Sequence, residues 1–229
     1  MQRKVRVGIL DHHQSIINGY RFRLAQHPQI EVVGSASYAD QLPHLLRHGR
    51  KPDVLILAVG TPTSPGNPRP FPMPHVIRSL LQEHGGLNIL VISMYAHQAL
   101  VRAAVDAGAS GYIHKEDGAI LQDLASVILC VTEGGVFFSP RVRRALVDAD
   151  GLETKKRLTP RQLEAVSLCA AYPSETTAQI AHRMNVSHST VRNLLSAAYV
   201  RLGVGNRAAA IEQARQLGLL CSPEPVLPT

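Results

Sequence analysis

The stretch IAHRMNVSHSTVRNLLSAAYVRL, residues 180–202, holds two helical patterns separated by a short turn. Ile180–Met184 continue one helix and Asn185-Val186-Ser187 turn the chain. Ser187 is placed to cap a further helix through Leu202, because its hydroxyl can accept from an amide of the first turn. On that last helix Val191, Leu195, Ala198 and Leu202 recur at i, i+4, i+7 and i+11, which puts them on one apolar stripe. Arg192, Ser196 and Tyr199 share another face, with Asn193 beside Arg192. Upstream, Thr159-Pro160-Arg161-Gln162 reads as a capping box with proline at the first helical position, and Tyr172-Pro173-Ser174 ends the helix it begins. Arg183, Arg192, Arg201 and Arg207 lie between Thr176 and Ile211 with no carboxylate among them, a bias that suits a phosphate backbone.

With LTPRQLEAV (158–166) ahead of it and RLGVGNRAAAI (201–211) behind, this region resembles the LuxR/FixJ (NarL-type) helix-turn-helix over residues 158–220. The resemblance implies double-stranded DNA as the partner. Arg192, Asn193 and Ser196 would then meet base edges in the major groove, and Ser189, Thr190, Arg201 and Arg207 would lie near phosphates. It also implies a last helix whose Ile211, Ala214 and Leu217 pair two subunits, as a homodimer or with a related regulator. The segment Ala171–Thr177 is longer than in that family, with Pro173 near the usual glycine, and leaves the start of the second helix open.

The first 135 residues alternate short β-rich runs with helical patterns. Strands are expected at Val5–Leu10, Ile30–Ala36, Val54–Val59, Asn88–Met94 and Gly111–His114, apolar on both faces as in a parallel sheet covered on each side. Helices are expected near 13–27, 39–49, 75–84, 97–107 and 118–133. The rhythm predicts a five-stranded, doubly wound α/β sheet with its crevice at the C-terminal strand ends, followed by a small all-α domain. The predicted division is 1–134 for the α/β domain, 135–156 for a linker, 157–220 for the helical domain and 221–229 for a tail. Thr61–Pro74 (TPTSPGNPRPFPMP), with six prolines in fourteen residues, is expected to be an extended loop and a candidate lid.

The α/β half resembles the receiver domain of two-component response regulators. That family gathers two acids after the first strand, a phosphoacceptor aspartate after the third, a Ser/Thr after the fourth and a lysine after the fifth. Here Asp11 is followed by His12, Ser93 and Lys115 are in place, and Ala58 stands where the acceptor belongs. A methyl group cannot attack a phosphoryl donor, and magnesium prefers oxygen ligands. The resemblance therefore implies a receiver that phosphate does not switch; in what remains of the pocket, Lys115 is expected to pair with Asp11 and Ser93 to cap a strand end. An alternative is that the altered pocket senses a small molecule or metal; another is a protein-interaction module that has lost DNA binding.

Composition narrows the classes further. The 229 residues are 45% hydrophobic with a net charge of +7, enough for real cores and mildly favourable to an anionic partner. Residues 1–150 carry 15 basic and 12 acidic side chains, and 151–229 carry 9 and 5, so the charge is not a basic tail. Cys130, Cys169 and Cys221 form neither a disulfide framework nor a zinc motif, which suits a reducing cytoplasm. No run approaches the length of a membrane span, and the start lacks a signal-peptide core. His12, His97 and His114 are candidates for the crevice, but no ligand spacing such as HExxH occurs, so no metal, cofactor or catalytic group is expected, and no enzyme.

Overall fold

The computed structural model describes residues 3–47, 51–147 and 158–221. Its sheet is built from β1 (Val5–Leu10), β2 (Ile30–Ala36), β3 (Val54–Ala58), β6 (Asn88–Ser93), β7 (Gly111–His114) and β8 (Phe137–Phe138), all paired in parallel in the order β2-β1-β3-β6-β7-β8. The expected five strands are therefore joined by a sixth. The order reverses direction between β1 and β3, which opens a crevice at their C-terminal ends.

Helices cover both faces, so β3 is buried along its whole length. On one face α1 (Gln14–Leu24) and α6 (Leu124–Thr132) pack Ile17, Tyr20, Leu24, Ile128 and Val131 against Val7, Ile9 and Ile56. On the other, α2 (Leu42–Arg47), α3 (Met73–Glu83) and α4 (Gln98–Asp106) pack Leu46, Ile77 and Val101 against Leu55, Leu57 and Val91. A short α5 (Gly118–Gln122) precedes α6, the two being separated at Asp123.

Two expectations change here. The linker does not begin at residue 135: β8 extends the sheet, and α7 (Pro140–Val147) buries Val142 in the same core. The rest of the expected linker, 148–156, and the tail at 222–229 lie outside the described residues. The proline-rich segment is also not an irregular loop. It forms an antiparallel hairpin of β4 (Pro62–Ser64) and β5 (Asn67–Pro70), with Pro62 opposite Pro70 and Ser64 opposite Asn67. A two-stranded ribbon asks for few ladder donors, so prolines are tolerated in it.

The C-terminal helices are α8 (Pro160–Ala171), α9 (Thr177–Arg183), α10 (His188–Leu202) and α11 (Arg207–Gln216). Each start is fixed by a side-chain cap: Thr159 on Gln162, Thr176 on Gln179, Ser187 on Thr190 and Asn206 on Ala209. Asn185, at φ 51°, makes the turn before α10, and Gly203, at φ 71°, ends it. Val191, Leu195, Ala198 and Leu202 are all buried, as the periodicity predicts, against Leu163, Val166 and Ile180.

The two halves meet at α8, which lies against α3 and α4, and Ala103 of α4 belongs to the helical core. Glu164 of α8 is only 1% exposed and receives His75 Nδ1 at 2.9 Å, Arg161 Nη1 at 3.0 Å and the guanidinium of Arg78. Burial pushes the Glu164 carboxyl up, but these three partners outweigh it and hold it below the usual glutamate range. Asn67, in the hairpin, donates to the carbonyl of Ala171 at 2.8 Å and so satisfies the C-terminal end of α8. The proline-rich segment therefore clamps α8 instead of acting as a lid.

Candidate functional site

Asp11, at the end of β1, is completely buried in the crevice. Lys115, which follows β7, donates to Asp11 Oδ2 at 2.9 Å, as expected from the sequence. The backbone amide of His13 donates to Asp11 Oδ1 at 2.9 Å, and His13 Nδ1 lies 3.2 Å from the same oxygen. His12 Nδ1 is 3.9 Å from it, and the two imidazole centroids are 3.9 Å apart. Ser93 is buried, and its hydroxyl accepts from the Tyr95 amide at 3.0 Å, so it shapes the turn after β6. Ala58 is 2% exposed at the end of β3.

One carboxylate, one ammonium and two imidazoles now stand together. This set does not fit magnesium, which takes oxygen ligands in near-octahedral geometry. The sequence reading missed His13, although the step from Asp11 to the amide two residues on is a local turn that Asp commonly makes. The other two histidines expected near the crevice have structural neighbours: His114 Nε2 lies 2.8 Å from the Met94 carbonyl, and the ring of His97 abuts Gly218.

The second candidate surface is α10. Its buried stripe turns Ser189, Thr190, Arg192, Asn193, Ser196 and Arg201 outward, and all six are exposed. At the start of this helix Ser187 Oγ lies 2.8 Å from both Ser189 Oγ and Thr190 Oγ1.

Two expected roles do not survive the geometry. Arg207 points inward, donating to the carbonyls of Glu175 at 2.6 Å, Tyr172 at 3.0 Å and Cys169 at 3.3 Å. It closes the C-terminal end of α8 and is not available to a phosphate. Ala214 is fully buried in the helical core, so it cannot line a subunit contact; Ile211 packs against the same core, and Leu217 stays 42% exposed.

Arg183 is also less free than the count of arginines suggests. Glu175, one residue outside the counted window, binds it at 2.6 Å, and Arg183 lies 3.7 Å over the Tyr172 ring. Thr176 and Gln179 form the capping box that fixes the start of α9, a T-x-x-Q pattern readable in the sequence.

Comparison with known proteins agrees with this architecture. The family "Sigma-70, region 4" matches residues 156–202, the first three helices of the C-terminal domain. The transcriptional regulatory protein DegU of Brevibacillus brevis is 25% identical, over 95% of each chain. The DNA-binding transcriptional activator DevR/DosR of Mycobacterium tuberculosis is 28% identical, over 93% of this chain and 95% of that one. Among solved structures, the RcsB response regulator of Salmonella typhimurium shares the fold with a TM-score of 0.63 at 23% identity, over 94% of this chain and 98% of that one. In fold and in sequence the chain is similar to response regulators of this kind. The likeness extends over both parts, an α/β domain ahead of a helical domain that matches the family model over its first three helices. Among the described residues no helix is long and apolar enough to cross a membrane.

Proposed function

We propose that this chain is a cytoplasmic transcriptional regulator that binds duplex DNA through α10, works as a dimer, and is not switched by aspartate phosphorylation. The observation that carries the reading is the polar face of α10. Arg192, Asn193 and Ser196 project from a helix whose opposite side is locked into the domain core. A helix presented in this way suits the major groove, where arginine reads guanine and asparagine reads adenine. Hydroxyls and amides at its N-terminus suit an adjacent phosphate. The name of DevR/DosR and the structure of RcsB dimers on DNA support the reading by likeness.

Independence from phosphorylation rests on the pocket chemistry. Ala58 offers no oxygen where the receiver resemblance calls for the acceptor, and the carboxylate of Asp11 is already engaged by Lys115 and His13. Incubation with acetyl phosphate should leave both the intact mass and the DNA affinity unchanged. Selection of preferred duplexes tests DNA binding. Arg192→Ala should then cost about 1–3 kcal/mol of discrimination at one base position, at unchanged helical content. Full-length protein that selects no sequence and shows no salt-dependent binding would overturn the proposal.

A further inference from the structure

We infer that Asp11, His12 and His13 form a binding site for a divalent transition metal of the zinc, nickel or cobalt type. The observation is a convergence of donors at the mouth of the crevice. One donor atom from each of the three residues lies within 4.8 Å of the other two, with His13 Nδ1 and His12 Nδ1 at 3.2 and 3.9 Å from Asp11 Oδ1. Ligands bound at zinc–nitrogen and zinc–oxygen distances of about 2.0–2.2 Å are themselves roughly 3.3–3.5 Å apart in a tetrahedron. The His13–Asp11 pair already has that spacing, and the His12–Asp11 pair is about half an ångström wider.

The donor chemistry sets the class of ion. Two imidazoles and one carboxylate suit borderline metals, whereas magnesium and calcium need oxygen ligands. Lys115 sits on Oδ2, leaving Oδ1 on the side of the histidines. Binding uses neutral His13 with its proton on Nε2, so that the Nδ1 lone pair is free for the metal; a proton on Nδ1 moves to Nε2 through solvent, with no net release. Three protein ligands leave at least one position for water or a small ligand, as in open sites and unlike closed structural zinc sites. His12 and His13 are both partly exposed, so the ion has an entry path. The inference needs neither DNA binding nor phosphorylation to be as proposed above.

The test is calorimetric titration of the full-length, tag-free protein with zinc, nickel, cobalt and magnesium chlorides, with cobalt also followed by visible absorption. One zinc or cobalt ion per chain is expected, with magnesium at least tenfold weaker. His13→Ala and His12→Ala should each weaken zinc by about tenfold or more, at least the loss typical of a second-shell change. His13→Cys should retain zinc, since a thiolate replaces the imidazole. Lys115→Met should tighten binding by removing the competing charge, and circular dichroism checks that each variant is folded. Zinc binding unchanged in both histidine-to-alanine variants would assign it to other histidines of the surface and overturn the site. So would the absence of binding in the folded wild-type protein, or magnesium binding as tight as zinc.

Discussion

The Glu164 carboxylate in the first helix of the C-terminal domain is bound by the Arg78 guanidinium of the α/β domain, at a contact where Glu164 is only 1% exposed. This ion pair joins residues 86 positions apart, so it acts as a tie between domains, not a local feature of either. A buried carboxylate loses its hydration and is stable only while its partners remain.

Arg78→Ala should therefore loosen the domain contact by about 1.5–3 kcal/mol, the range for a hydrogen bond to a charged group. His75 and Arg161 remain on Glu164 and keep the loss below that of an isolated buried charge. Amide hydrogen exchange reads the result as faster exchange in both α3 and α8. Exchange unchanged in α8 would show that apolar packing alone holds the domains.

The same carboxylate gives the contact a pH dependence of definite sign. Its folded pKa lies below the usual 4.5, so its stabilisation is complete above that value and fades as the pH falls through the lower folded one. Small-angle scattering from pH 7 downward should show a constant shape until the carboxylate range is reached. Arg78→Ala should move the transition to higher pH. Separation of the domains already near neutral pH would show that Glu164 does not control the contact.

Arg207→Ala should behave as a folding variant. Three carbonyls near the end of α8 lose their charged donor, so the helical domain should lose about 1.5–3 kcal/mol in urea. The salt dependence of DNA binding should keep its slope, because no phosphate contact has been removed. A slope reduced by about one unit would restore Arg207 to the DNA face.

Leu217→Asp tests the remaining apolar side chain of the expected pairing helix. Leu217 is exposed, so the charge should leave the monomer folded while lowering the dimer fraction in sedimentation. Truncating the chain ahead of α11 would be a poor substitute, since Ala210 and Ala214 belong to the domain core. A dimer fraction equal to wild type would place the interface elsewhere.

Elements stabilised by their own residues were legible in the sequence. The strands β1, β2 and β7 begin and end where alternation and apolar runs place them, and the buried stripe of α10 follows from its period. What escaped depended on distant partners. Two residues cannot announce a strand, and β8 exists because Phe137 and Phe138 pair with Gly111 and Tyr112. The hairpin was hidden because its prolines look like loop residues until Asn67 is seen on Ala171. Arg207 looked like a phosphate ligand because its real partners are backbone carbonyls, which carry no sequence signature. In the crevice, the pairing of Lys115 with Asp11 could be expected, while the placing of His13 on the same carboxylate needed the turn itself.

The clamp on α8 also sets a geometric tolerance. With Asn67 and Arg78 both holding that helix, α10 is indexed to the sheet and not to the chain between the domains. Two such protomers would hold their reading heads like the jaws of a fixed caliper, at one pitch along a duplex. An operator lengthened by a single base pair between half-sites would then require the clamp to open or one head to disengage.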